Sequence, residues 1–160
     1  MVEIREMLAI FPPAQQPAAA ALAETALALG CKVEKDPGKT PGWTFTHRKR
    51  KKRVLRFVLR GPQPIICLKY FAAPSYSTYF QEAVRKTIEE FDYKYTGCYG
   101  CGKCDGVLGY TYLYPDGRSY FRCGSELIEL QDVAGMPVDE AVDLLRQQCL
   151  YYDAALAAIV

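Results

Sequence analysis

The sequence predicts an α+β fold: an antiparallel sheet of about five to six strands packed with three main helices, plus a cysteine-rich metal knuckle. Three observations carry that expectation. Short runs of alternating apolar and polar residues recur in both halves of the chain, each bounded by Gly or Pro. Segments of helical periodicity follow them. Four of the seven cysteines fall in one region, as TGCYGCGKCDG and YFRCG. The length of 160 residues suits one domain spanning residues 1–160. A hydrophobic share of 50% and a charged share of 24% exclude global disorder. No apolar run approaches the roughly 20 residues of a membrane span, so no membrane association is expected.

The opening segment, MVEIREMLAIFPPAQQP, has no basic stretch followed by an unbroken apolar core; Glu3, Glu6, Pro12 and Pro13 interrupt it. It does not read as an export signal, and a cytoplasmic location is expected. There, clustered cysteines favour metals over disulfides. Pro17 followed by AAAALAETALALG predicts a helix with proline in its first turn, Gly30 as its stop and a stripe of Leu22, Ala26 and Leu29. EKDPGKTPG is a connector.

WTFTH alternates Trp43, Phe45 and His47 against Thr44 and Thr46, the period of a half-buried strand. RVLRFVLR is a second strand, ended by Gly61-Pro62, and PIICLKYFA a third. These three read as antiparallel, the first hairpin turning inside the basic run. Phe80, Val84, Ile88 and Phe91 recur at helical spacing, and Thr78 with Gln81 has capping-box spacing.

GVLGYTYLYPDGRSYFRCG gives two alternating runs around Tyr114-Pro115-Asp116-Gly117, a strong hairpin signal. SELIEL is a short strand. Pro137 starts a last helix with Val138, Ala141, Leu145, Cys149, Tyr152 and Leu156 on one face. Three strands and a helix thus occur twice, and Gly42-Trp43-Thr44-Phe45 resembles Gly109-Tyr110-Thr111-Tyr112. This suggests a duplicated βββα unit with halves 31–92 and 93–160.

Cys31, Cys67 and Cys149 stand apart in sequence and read as small packing residues. Cys98, Cys101, Cys104 and Cys123 read as one site. A hairpin centred near Pro115-Asp116 brings residue 123 opposite roughly residue 108, so Cys123 returns close to Cys104. Four thiolates satisfy tetrahedral zinc, and Gly100, Gly102 and Gly106 suit a tight knuckle. Structural zinc is the expected cofactor. The alternative is an iron–sulfur cluster, which also uses three closely spaced cysteines and a remote fourth. Against it, Cys123 precedes Gly rather than Pro.

The formal charge of +2 hides a polarity. Residues 44–60 hold eight of the twenty Lys and Arg and no acid, leaving twelve bases against eighteen acids elsewhere, a balance of −6. The run His47-Arg48-Lys49-Arg50-Lys51-Lys52-Arg53 is a candidate nucleic-acid or anion contact, or else a solvated turn. Ten of the twelve tyrosines lie between residues 70 and 120. Tyr110, Tyr112 and Tyr114 share one face by period 2, and with Arg122 they form a candidate ligand- or partner-binding surface.

One histidine and no asparagine exclude multi-histidine sites and Asn-oriented Cys-His nucleophiles. A Cys-His nucleophile would need His47 beside a free cysteine, and nothing in the sequence brings them together. No phosphate-binding glycine loop or nucleophile elbow is present. The expected function is a small cytosolic zinc-binding module with a ligand or protein partner rather than an enzyme. Nucleic-acid binding through residues 47–53 is the first alternative, and iron–sulfur or thiol redox chemistry the second.

Overall fold

The computed structural model describes residues 4–90 and 109–159, with side chains described through residue 154. The N-terminal third begins with a short helix, α1 (Ile4–Leu8), a 3₁₀ turn at Pro13–Gln15, and α2 (Gln16–Ala28). Pro17 occupies the first turn of α2, where its missing N–H costs nothing. Gly30, at φ +87°, closes the helix in the left-handed conformation that glycine adopts without strain. Ala19, Leu22, Ala23 and Ala26 form the buried stripe.

Four strands follow: β1 (Cys31–Lys35), β2 (Gly42–His47), β3 (Lys52–Arg60) and β4 (Gln63–Leu68). Gly61 at φ +58° and Pro62 form the two-residue turn joining β3 to β4, glycine first, as a II′ hairpin requires. Next comes α3 (Thr78–Glu89). Its N-cap is Ser77, whose carbonyl accepts the Phe80 and Gln81 amides at 3.1 and 3.0 Å. The Gln81 side chain bonds the Tyr76 carbonyl instead of closing a capping box with Thr78. Phe91, expected on this helix, lies outside the described residues.

The second half contributes β5 (Gly109–Leu113), β6 (Ser119–Cys123), β7 (Ile128–Leu130) and α4 (Val138–Ile159). One antiparallel sheet runs β1-β2-β3-β4-β7, and among the described residues β5 pairs with β6 alone. The fold class is therefore as expected, α+β with a mainly antiparallel sheet. Its details differ. β1 and α1 join the expected elements, and β7 leaves the hairpin to pair with β4 through Ile66↔Leu130.

Among the described residues the sheet separates two unequal layers. Trp43, Phe45, Leu55, Phe57, Ile66, Leu68 and Leu130 belong to the main core, with buried residues of α2 and α4. Phe57 packs edge-on against Phe11 and Phe45, with centroids at 5.3 and 5.5 Å. A bulge leaves Val54 unpaired, because Phe45 faces Leu55 while Thr46 faces Arg53. Val58, Ile65 and Cys67 form a separate small cluster with Leu127 beside it. Among the described residues no helix is long and apolar enough to cross a membrane.

Candidate functional site

The β5–β6 hairpin sets the position of Cys123. Pro115 and Asp116 make the turn, and Gly117 follows at φ +92°; the Tyr114 amide donates to the Arg118 carbonyl at 2.8 Å. With Gly117 accommodating the extra residue, Cys123 pairs with Gly109, one position from the expected partner. A side chain at Gly109 would collide with the Arg122 carbonyl and the Phe121 ring, so the strands approach closely only because glycine stands there.

Cys123 is 8% exposed and begins a reverse turn in which the Glu126 amide donates to its carbonyl at 3.1 Å. Within that turn the Ser125 amide points at the Cys123 sulfur at 3.5 Å, and the Ser125 hydroxyl lies 3.2 Å from it. Cys98, Cys101 and Cys104 lie outside the described residues. Among the described residues no group of three or more His, Cys, Asp or Glu could hold a metal ion.

Cys123 also borders a cavity of about 290 Å³ with Arg53, Arg56, Cys67, Ser125 and Glu129. The strand register explains the convergence: Thr44, Arg56, Cys67 and Glu129 are successive partners across β2, β3, β4 and β7. Arg56 donates to Asp36 at 2.8 Å, Thr44 donates to the same carboxylate at 2.6 Å, and Arg60 reaches Glu129 at 2.9 Å. Burial pushes the Cys67 thiol up to about 12, with Glu129 adding to it, so this cysteine keeps its proton at neutral pH. The cavity was not legible in the sequence, because it depends on pairing between β4 and a strand some 60 residues later.

The basic run is a turn anchored at its base. His47 is buried; the Arg50 amide donates to Nδ1 at 3.1 Å, and Nε2 lies 2.8 Å from Asp153 on α4. Lys51 takes a positive φ of 57°, and its amide bonds the His47 carbonyl. Arg48, Lys49, Lys51 and Arg53 are exposed, while Arg50 and Lys52 are half-buried, with Arg50 5.8 Å from the Tyr152 ring centre. His47 therefore anchors the run internally instead of contributing to a basic surface.

Much of the tyrosine face is turned inward against α3, while Tyr112 is half-buried and borders a cavity of about 420 Å³. Tyr110 is fully buried; its hydroxyl donates to the Glu126 carbonyl and accepts the Tyr70 amide at 3.0 and 3.1 Å. Arg122 is equally buried and donates to the Thr87 carbonyl on α3 at 2.8 Å and to Glu126 at 3.4 Å. Tyr112 and Tyr114 donate to Glu82 and Glu89 on α3, at 3.4 and 2.6 Å. Period 2 identifies which residues share a face, but only the position of α3 decides which face is covered. No family model, no curated protein and no solved structure matches this chain.

Proposed function

We propose that this chain binds one zinc ion through Cys98, Cys101, Cys104 and Cys123, as a structural site securing the β5–β6 hairpin. The observation that supports it is the Gly109–Cys123 register, with the Ser125 amide aimed at the Cys123 sulfur. Cys104 precedes Gly109 by five positions, and about 3.3 Å of chain per residue is ample to return its thiolate to Cys123. Zinc suits four thiolates without an open coordination position, so the site stabilises and does not catalyse. Binding would add to folding stability, because the unfolded chain presents no preformed site.

Elemental analysis of the full-length protein beside Cys101→Ser and Cys123→Ser tests the reading. The expected result is about one zinc per wild-type chain and strong depletion in both variants. Iron with acid-labile sulfide and visible absorption would replace zinc by a cluster on the same ligands. Folded wild-type protein free of metal after purification without chelators would overturn it.

A further inference from the structure

Cys31 and Cys149 are 118 positions apart in sequence, and the fold brings them into contact. Cys31 opens β1 directly after Gly30, Cys149 lies within α4, and their sulfur atoms are 3.9 Å apart. Both are in the main core, 3% and 0% exposed. Cys31 also pairs across the sheet with His47, and directly paired residues share a face. Asp153, one turn beyond Cys149 on α4, holds the His47 ring. Two thiols, an imidazole and a carboxylate therefore gather where the β1–β2 edge meets α4. The expectation that nothing brings His47 to a free cysteine fails because it did not include β1.

His47 is not a base for these thiols. Its Nδ1 accepts the Arg50 amide, which leaves Nε2 as the donor to Asp153, so both ring nitrogens are engaged. Nor do the four groups form a metal site, since no suitable group of three exists among the described residues. The two sulfurs themselves are unequal. Cys31 is held below the ordinary thiol range chiefly by the hydrogen bond from Cys149; burial and Asp153 oppose that shift, and Arg48 adds to it. The same bond, with burial, pushes Cys149 up. The shared bond favours one thiolate beside one thiol, and the Arg48 charge favours Cys31 as the thiolate.

We propose that Cys31 and Cys149 form a redox-active dithiol that a hydroperoxide oxidises to a disulfide joining the first sheet strand to the C-terminal helix. The Cys31 thiolate sulfur attacks one oxygen of hydrogen peroxide and the O–O bond breaks. The departing hydroxide takes up the proton Cys31 gave up and leaves as water, and Cys31 becomes a sulfenic acid. The Cys149 sulfur then attacks the Cys31 sulfur. The S–O bond breaks as the S–S bond forms, and the departing hydroxide takes the Cys149 proton as a second water. Two thiols are oxidised by two electrons and one peroxide is reduced to two waters. A disulfide of about 2.05 Å needs the sulfurs to close by roughly 1.9 Å. Gly30, with nothing within 4 Å of where its Cβ would stand, precedes Cys31 and gives that end of β1 room to adjust.

The test is stepwise treatment of the full-length protein with hydrogen peroxide, alkylation of remaining thiols, and peptide mapping without reduction. The expected product is a Cys31–Cys149 cross-linked peptide, formed at a lower peroxide dose than any oxidation of Cys67. In Cys149→Ser, where no second thiol can resolve it, a cyclic 1,3-dione should trap Cys31 as its sulfenic acid. The wild-type map requires no variant, so a misfolded substitution cannot decide the question. Recovery of Cys31 and Cys149 as alkylated thiols at a dose that oxidises Cys67 would overturn the proposal. Pairing of either with any other cysteine would do the same.

Discussion

Gly109 lacks a side chain for a reason that lies across the hairpin. Its Cα faces Cys123, and the Arg122 carbonyl and Phe121 ring fill the space a Cβ would take. Neither group is the loose end of a flexible chain, so Gly109→Ala must displace the β6 backbone or the ring. The expected cost is about 1–3 kcal/mol, against no more than about 0.5 kcal/mol for Thr111→Ala, an exposed position on the same strand. Denaturant melts of the two variants compare them directly. Equal losses would mean that the strands do not need this close approach. Spacing placed Tyr110 on one face with Tyr112 and Tyr114, and Arg122 with Tyr120 on the next strand, but not what those faces turn toward. That depends on the Thr87 carbonyl and the Glu126 loop, which come from elsewhere in the chain.

At the scale of elements, the β5–β6 hairpin is held to α3 by side chains rather than by a shared sheet. Tyr114 donates to Glu89 at 2.6 Å, and Arg85 reaches the same carboxylate at 2.7 Å. The Tyr114 hydroxyl is the main reason Glu89 stays below the usual carboxylate range; partial burial opposes it and Arg85 assists. A depressed folded pKa contributes stability that is fully present above the unfolded value, about 4.3, and is lost as pH falls through the folded value. Docking should therefore be constant near neutrality and weaken in acid. Amide exchange in residues 109–123 should accelerate there relative to β2 and β3, and Tyr114→Phe should remove most of that acid-dependent difference. A pH profile unchanged in Tyr114→Phe would show that this contact does not control docking.

The elements themselves were largely legible. The stop at Gly30, the turns at Gly61-Pro62 and Pro115-Asp116, and the periodicity of α2, α3 and α4 are local signals that survive in the structure. β1 was missed because Cys-Lys-Val-Glu-Lys offers only two apolar residues before the connector, and its exposed charges suit an edge strand. The membership of β7 could not be read, since strand pairing over long separations leaves no trace in periodicity. The candidate site divides in the same way. The pairing of Cys123 opposite the start of β5 followed, to within one position, from counting outward from a turn, whereas the Cys31–Cys149 contact required both β1 and the placement of α4.

For the whole molecule, adjacent residues on β3 separate two layers of unequal weight. Phe57 faces the core built with α2 and α4 and touches Phe11 and Phe45. Val58, its neighbour, points to the other side, where among the described residues Ile65, Cys67 and the partly buried Leu127 accompany it. Both side chains are nearly inaccessible, so burial alone does not distinguish them. The surroundings do. Phe57→Ala opens a cavity in a layer pinned between helices and sheet, which cannot collapse, and should cost about 3–5 kcal/mol. Val58→Ala removes two methyl groups from this smaller cluster and should cost about 1.5 kcal/mol. Urea denaturation should show the midpoint falling at least twice as far for Phe57→Ala, with the same slope in both. Comparable shifts would require a second substantial core on the far face of the sheet, and the two-layer description would have to be abandoned.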